Sequence, residues 1–198
     1  VDGDFDACQA VVKTLFSDQD FAARASLSGV NSINWARIVA QSAYFYAAAC
    51  LLSGPGNVNF IVPTGNMGNA FACVWARRAG MPIGRIILAT NANLTISDYL
   101  ATGQWLPRPS VATLASAMDV GNPSNMERLQ GLCPDIETVR EEVSAVAVSD
   151  VDIRSTIADE FRRHSLPWCP HTATGLHVYR NLPAPERAGR DWAVVATA

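Results

Sequence analysis

Asn59-Phe60-Ile61-Val62-Pro63-Thr64-Gly65-Asn66-Met67-Gly68-Asn69-Ala70-Phe71-Ala72-Cys73-Val74-Trp75-Ala76-Arg77-Arg78-Ala79-Gly80 is the stretch on which the fold turns. Its first four residues are short and apolar, the pattern of a strand buried on both faces of a parallel sheet. From Ala70 the residues predict a helix closed by a basic last turn and Gly80. Between them, Pro63 to Asn69 makes a tight turn, in which Gly65 and Gly68 allow a sharp bend and the close approach of a ligand. Free N–H groups opening the helix, at the positive end of its dipole, suit a phosphate. A plain strand–helix corner can carry the same spacing. Neither the G-x-G-x-x-G dinucleotide fingerprint nor a Walker A sequence is present.

Outward from this unit, apolar positions at Phe5, Cys8, Val11, Val12, Leu15 and Phe16 predict a helix over 4–16, with Asp4 as its cap. A short helix is expected over 20–26, and a long one from Asn31 to about Ser53, stopped by Gly54-Pro55-Gly56. A second strand is expected over 85–89 and a helix through Tyr99 and Leu100, followed by an irregular stretch over 104–120. Asn122 to Asn125 caps a short helix to about Leu132. Further helices are expected over 134–146, from Ser149 or Asp150 to His164, and from Pro170 to Asn181. A polar loop over 183–191 leads into a last strand starting at Trp192. Strands alternating with helices imply an α/β fold, three-layered, with a mostly parallel sheet of three or four strands.

The totals narrow the class. The chain has 198 residues, enough for one good core, and is 49% hydrophobic and 17% charged, a globular composition. A net charge of −3 argues against a nucleic-acid or anionic-membrane surface, and no apolar run is long enough to span a bilayer. Five scattered cysteines without a C-x-x-C pair read as buried thiols in a reducing cytoplasm, and the three histidines do not pair with them at zinc-ligand spacing, so no metal is expected. The start at Val1 and the ending on a strand-like segment lead us to expect a fragment of a longer protein.

At Asn31-Ser32-Ile33-Asn34-Trp35-Ala36-Arg37, Pro63-Thr64-Gly65-Asn66-Met67-Gly68-Asn69 and Ala117-Met118-Asp119-Val120-Gly121-Asn122-Pro123-Ser124-Asn125, the chain resembles the threonine synthases, pyridoxal-phosphate enzymes of the tryptophan-synthase-β-like fold (fold type II). Asp2-Gly3-Asp4-Phe5-Asp6, Pro170-His171-Thr172-Ala173 and Ala196-Thr197-Ala198 fit the same family. The resemblance runs in order along residues 1–198 and implies part of the large, cofactor-binding domain. It implies conversion of O-phospho-L-homoserine and water to L-threonine and phosphate, with pyridoxal 5′-phosphate as cofactor. By resemblance, Gly65, Asn66, Met67, Gly68 and Asn69 hold the cofactor phosphate through main-chain N–H groups. Asn31, Ser32 and Arg37 hold the substrate phosphate, and the Thr197 hydroxyl meets the pyridine nitrogen. Many members carry Phe at the position of Met67, Asp at that of Asn69 and Asp at that of Cys169.

Other residues receive no chemical role at this stage. Asp119 and Asn125 are assigned none, Glu127 and Arg128 read as surface helix pairs, and His171 reads as a structural cap. Arg162-Arg163-His164 is a basic helix end suited to the dipole. The family's Schiff-base lysine is absent: Lys13, the one lysine, sits mid-helix and does not match the lysine motif. The chain alone is therefore expected to be inactive and to need the rest of a parent polypeptide. It is also expected to be poorly stable, its first and last strands leaving unpaired edges. Two alternatives stay open: another lyase or dehydratase of the same fold, which needs no second phosphate site, and a non-catalytic phosphate-binding module.

Overall fold

The computed structural model describes residues 2–3, 5–29, 31–32, 34–52, 56–188 and 190–197. The expected Asp4 cap, the helix end at Ser53, Gly54 and Pro55 of the expected Gly54-Pro55-Gly56 stop, and Ala198 lie outside the described residues. The elements run α1 (Phe5–Ser17), α2 (Gln19–Arg24), α3 (Trp35–Leu52), β1 (Val58–Pro63), α4 (Gly68–Arg78), β2 (Ile83–Thr90), α5 (Thr95–Thr102), α6 (Met126–Leu132), α7 (Ile136–Glu142), β3 (Ser144–Ala147), α8 (Asp150–His164), α9 (Pro170–Asn181), α10 (Ala184–Arg187) and β4 (Trp192–Val194). The four strands form one parallel sheet in the order β3-β2-β1-β4.

β1 is buried along its whole length because it lies inside the sheet, with helices over both faces. Side chains alternate across the pleat. Phe60 and Val62, with Ile86 and Leu88 of β2, pack against Ile38 and Phe45 of α3 and Phe71 and Val74 of α4. Ile61, with Ile87 and Ala89, faces Ile153 of α8 and Ala173 and Val178 of α9. Two apolar layers thus sandwich the sheet, the three-layer α/β arrangement expected. A parallel sheet gathers its strand C-termini on one side, where the loop after β1 and the end of β4 meet.

Five expectations need correction. The helix expected over 134–146 ends at Glu142, and Ser144–Ala147 turns extended to pair with Ile87–Thr90. Glu142 closes that helix by binding Arg77 and Arg78 from the last turn of α4. The long helix begins at Trp35 rather than Asn31, because the Asn34 side chain caps it by accepting from the Ala36 N–H at 2.9 Å. The loop over 183–191 contains the single turn α10. The open edges of the sheet are β3 and β4, whereas the first strand is interior. The cysteines also differ: Cys73 and Cys133 are buried, but Cys50 is exposed and Cys8 and Cys169 are half-buried.

Candidate active site

The turn after β1 is fastened by its own asparagines. Asn69 Oδ1 accepts from Thr64 Oγ1 at 2.8 Å and from the Ala70 N–H at 2.9 Å, while its Nδ2 donates to the Pro63 carbonyl at 2.9 Å. The sharp bend is taken by Met67, at φ 60° and ψ 13°, and not by either glycine. For a non-glycine residue that conformation costs about 1–2 kcal/mol, offset here by complete burial of the Met67 side chain. The glycines serve close packing instead. A Cβ on Gly65 would lie 2.6 Å from Met118 Cα, and one on Gly68 would lie 2.9 Å from Ser32 Cβ.

With the side chains occupied in this way, the main-chain N–H groups of Gly65 to Asn69 find no acceptor among the described residues. They open α4, whose dipole adds positive potential at the same point. Such a concavity of donors can hold an oxyanion without a cation.

Asn66 ties its turn to two distant segments. Its Nδ2 donates to Ser32 Oγ at 3.1 Å, its Oδ1 accepts from the Ser124 N–H at 2.7 Å, and its carbonyl accepts from Asn125 Nδ2 at 2.9 Å. Asn31, Ser32 and Arg37 therefore stand beside the turn, and all line one cleft of about 800 Å³ with Gly65 to Asn69 and Thr197. The Arg37 guanidinium has no carboxylate partner among the described residues and is free to form a two-pronged bond with a phosphate. Arg37 also acts on Tyr44, whose hydroxyl is nonetheless pushed up to about 12 by burial, reinforced by the Cys73 thiol. That hydroxyl stays protonated.

Thr197 is pinned by its main chain: its N–H donates to Thr172 Oγ1 at 3.1 Å and its carbonyl accepts from Cys169 Sγ at 3.1 Å. Its hydroxyl is left for the cleft. The same Cys169 caps α9, its Sγ accepting from the Thr172 N–H at 3.5 Å, so the cap expected at His171 sits two residues earlier. His171 lines the cleft, and its Nε2 accepts from the Ala117 N–H at 3.1 Å. Burial holds its pKa below the ordinary histidine value, against the opposing charge of Asp119.

Asn122 to Asn125 was expected to cap α6, and Glu127 and Arg128 to form surface helix pairs. The Asn125 side chain instead holds the Asn66 carbonyl and accepts from Arg128 Nε, Arg128 stacks over Trp35, and Glu127 pairs with Lys13 of α1. Asp119 is bound by Asn91, Asn93 and Thr113. Sequence reasoning missed Ser124, Asn125 and His171 as supports of the site. The only local signal was their place inside the motifs at 117–125 and 170–173.

The family described as pyridoxal-phosphate dependent enzyme matches residues 1–198. Threonine synthase of Escherichia coli K12 is 36% identical over 191 residues, covering 96% of this chain and 44% of that protein. Threonine synthase of Serratia marcescens is 40% identical over 161 residues, covering 80% and 38%. Among solved structures, pyridoxal-phosphate-bound threonine synthase of Brucella melitensis superposes with a TM-score of 0.83 at 35% identity, covering 100% of this chain and 47% of that one. Maize serine racemase, at 16% identity and a TM-score of 0.68, shares the fold alone. The chain spans less than half the length of the curated relatives it matches.

Proposed function

The chain belongs to the pyridoxal-phosphate dependent enzyme family, and from that premise we propose that it is the phosphate-holding part of a threonine synthase, which converts O-phospho-L-homoserine and water to L-threonine and phosphate. The observation that supports this reading is that two groups suited to oxyanions line one cleft. One is the run of amides from Gly65 to Asn69, without an acceptor among the described residues; the other is Arg37 with Asn31 and Ser32, tied to the first by the Asn66–Ser32 bond. A dehydratase of the same fold has use for the first seat only.

In this reading Gly65, Asn66, Met67, Gly68 and Asn69 hold the cofactor phosphate, and the neutral Thr197 hydroxyl meets the pyridine nitrogen, leaving it less protonated than a carboxylate would. Bound pyridoxal phosphate supplies an electron sink for charge developing on the substrate carbons. Arg37 grips the substrate phosphate and stabilises negative charge as that group departs, with Asn31 and Ser32 adding hydrogen bonds. The covalent lysine lies outside residues 1–198: Lys13 is 3.2 Å from Glu127 and does not line the cleft. No described helix is long and apolar enough to cross a membrane.

The test is a titration of the 15N-labelled chain. Pyridoxal 5′-phosphate should move the amide signals of Gly65 to Asn69, and O-phospho-L-homoserine should move those of Ser32 and Arg37. Arg37→Ala should weaken the phosphohomoserine response about tenfold or more and leave the cofactor response intact. Equal binding of O-phospho-L-homoserine by the Arg37→Ala chain would remove threonine synthase in favour of a dehydratase.

A further inference from the structure

His171 is not a member of either seat, yet it is tied to the first of them. Its Nε2 accepts the Ala117 N–H, so Nε2 carries no proton and the neutral ring bears its hydrogen on Nδ1. Nδ1 is buried and has no partner among the described residues. The ring is therefore fixed in one tautomer by a main-chain donor.

Ala117 lies in the single 3-10 turn Ser116–Met118. The backbone of Met118 in that turn packs on Gly65, so closely that no Cβ fits between them. A line of contact thus runs from the start of α9, through His171 and the 3-10 turn, to the first residue of the amide seat. From this geometry we infer that His171 is a positioning residue for the oxyanion seat, holding the 3-10 turn against Gly65 by accepting the Ala117 N–H.

The inference rests on the reading of Gly65–Asn69 as an anion seat. It requires an acceptor at Nε2, which an imidazolium does not offer. Asp119, two residues past Ala117, is the charged group that acts on the ring, and it is already bound by Asn91, Asn93 and Thr113. Arg37 is the cation lining the same cleft. Acidification should therefore break the Ala117 bond by protonating the ring and loosen the seat.

Inorganic sulfate is the probe, because it keeps its double charge across the range needed. The 15N-labelled chain is titrated with sulfate while the amide signals of Gly65 to Asn69 and of Ala117 are followed. His171→Ala should weaken sulfate about five- to tenfold, the worth of one hydrogen bond, and should shift the Ala117 signal. His171→Gln, whose Oε1 reaches the place of Nε2 as an acceptor, should bind within about twofold of the natural chain. Lowering the pH from about 7.5 to about 5, across the histidine range, should weaken sulfate in the natural chain but not in His171→Gln. Equal affinity in His171→Ala, or equal pH dependence in His171→Gln, would overturn the inference alone. If sulfate moves none of the Gly65–Asn69 signals in the natural chain, the anion-seat reading falls and this inference falls with it.

Discussion

Replacing Gly65 by alanine places a Cβ 2.6 Å from Met118 Cα, 2.8 Å from its carbonyl oxygen and 2.9 Å from its carbonyl carbon. Ordinary contact begins at 3.4 Å, so the 3-10 turn must withdraw by 0.8 Å. Every clashing atom is backbone, so no rotamer change relieves the overlap. Withdrawal is resisted by the Ala117–His171 bond and by the bonds that fix Asp119 just beyond. Overpacking of this kind costs about 1–3 kcal/mol, and a rigid backbone obstacle puts it near the top of that range. For a chain of this size that is about 6–12 °C in melting temperature. Sulfate affinity should fall about tenfold or more, since a shift near 1 Å misaligns the amide donors. Gly131→Ala serves as the control: nothing lies within 4 Å of its Cβ, and it sits in α6, where alanine gains up to about 1 kcal/mol in helix propensity. Thermal unfolding followed by circular dichroism, paired with the sulfate titration, measures both effects. If Gly65→Ala melts within about 2 °C of the natural chain and binds sulfate equally, the close-packing argument is refuted.

Asn69→Asp should destabilise the turn by about 1–3 kcal/mol in urea unfolding, because the Pro63 carbonyl loses its donor; its added negative charge should weaken sulfate further. Arg180→Ala leaves the Glu160 carboxylate, 7% exposed, without its 2.7 Å partner, and should cost about 3 kcal/mol by the same measurement. The lowered pKa of His171 means that the folded chain favours the neutral ring, so the unfolded chain takes up that proton first as pH falls. Stability from this group is full above the ordinary histidine value of about 6.5 and is lost as pH drops below it. Melting curves over that range should show a steeper acid loss for the natural chain than for His171→Gln, and parallel losses would count against the assignment.

The unit at 59–80 was legible because two independent signals coincide there, a doubly buried apolar run and glycines at a strand–helix corner. β3 was not legible. Ser144-Ala145-Val146-Ala147 is four small residues long, and its extended form comes from pairing with Ile87–Thr90, more than fifty positions away. The glycine requirement at 65 could be read, but not its cause, because the 116–118 turn that excludes a Cβ is distant in sequence. Met67 could not be foreseen as the left-handed residue. Nothing local favours it, and the turn around it is fastened by bonds of Asn66 and Asn69 to other residues. His171 read as a cap because it follows Pro170 at a helix start, while the actual cap is a thiol, a weak acceptor that sequence rules rank low.

The charges in the cleft are as informative as the contacts. Among the described residues no carboxylate lines it, and the side chains along it hold a single arginine. The proposed amide seat carries no countercharge of its own, so its grip depends on geometry, and that geometry is supported by neutral bonds to Asn66 from two distant segments, at Ser32 and at Ser124–Asn125. A seat built this way suits an anion that stays in place, since main-chain donors lose no side-chain freedom when they bind. Arg37, proposed to hold the second anion, has the opposite character: it is an exposed cation on a long side chain. In the proposed reaction one phosphate is resident and the other is a product. Under that proposal, a neutral main-chain seat beside an exposed arginine is the arrangement that such a pair of anions would use.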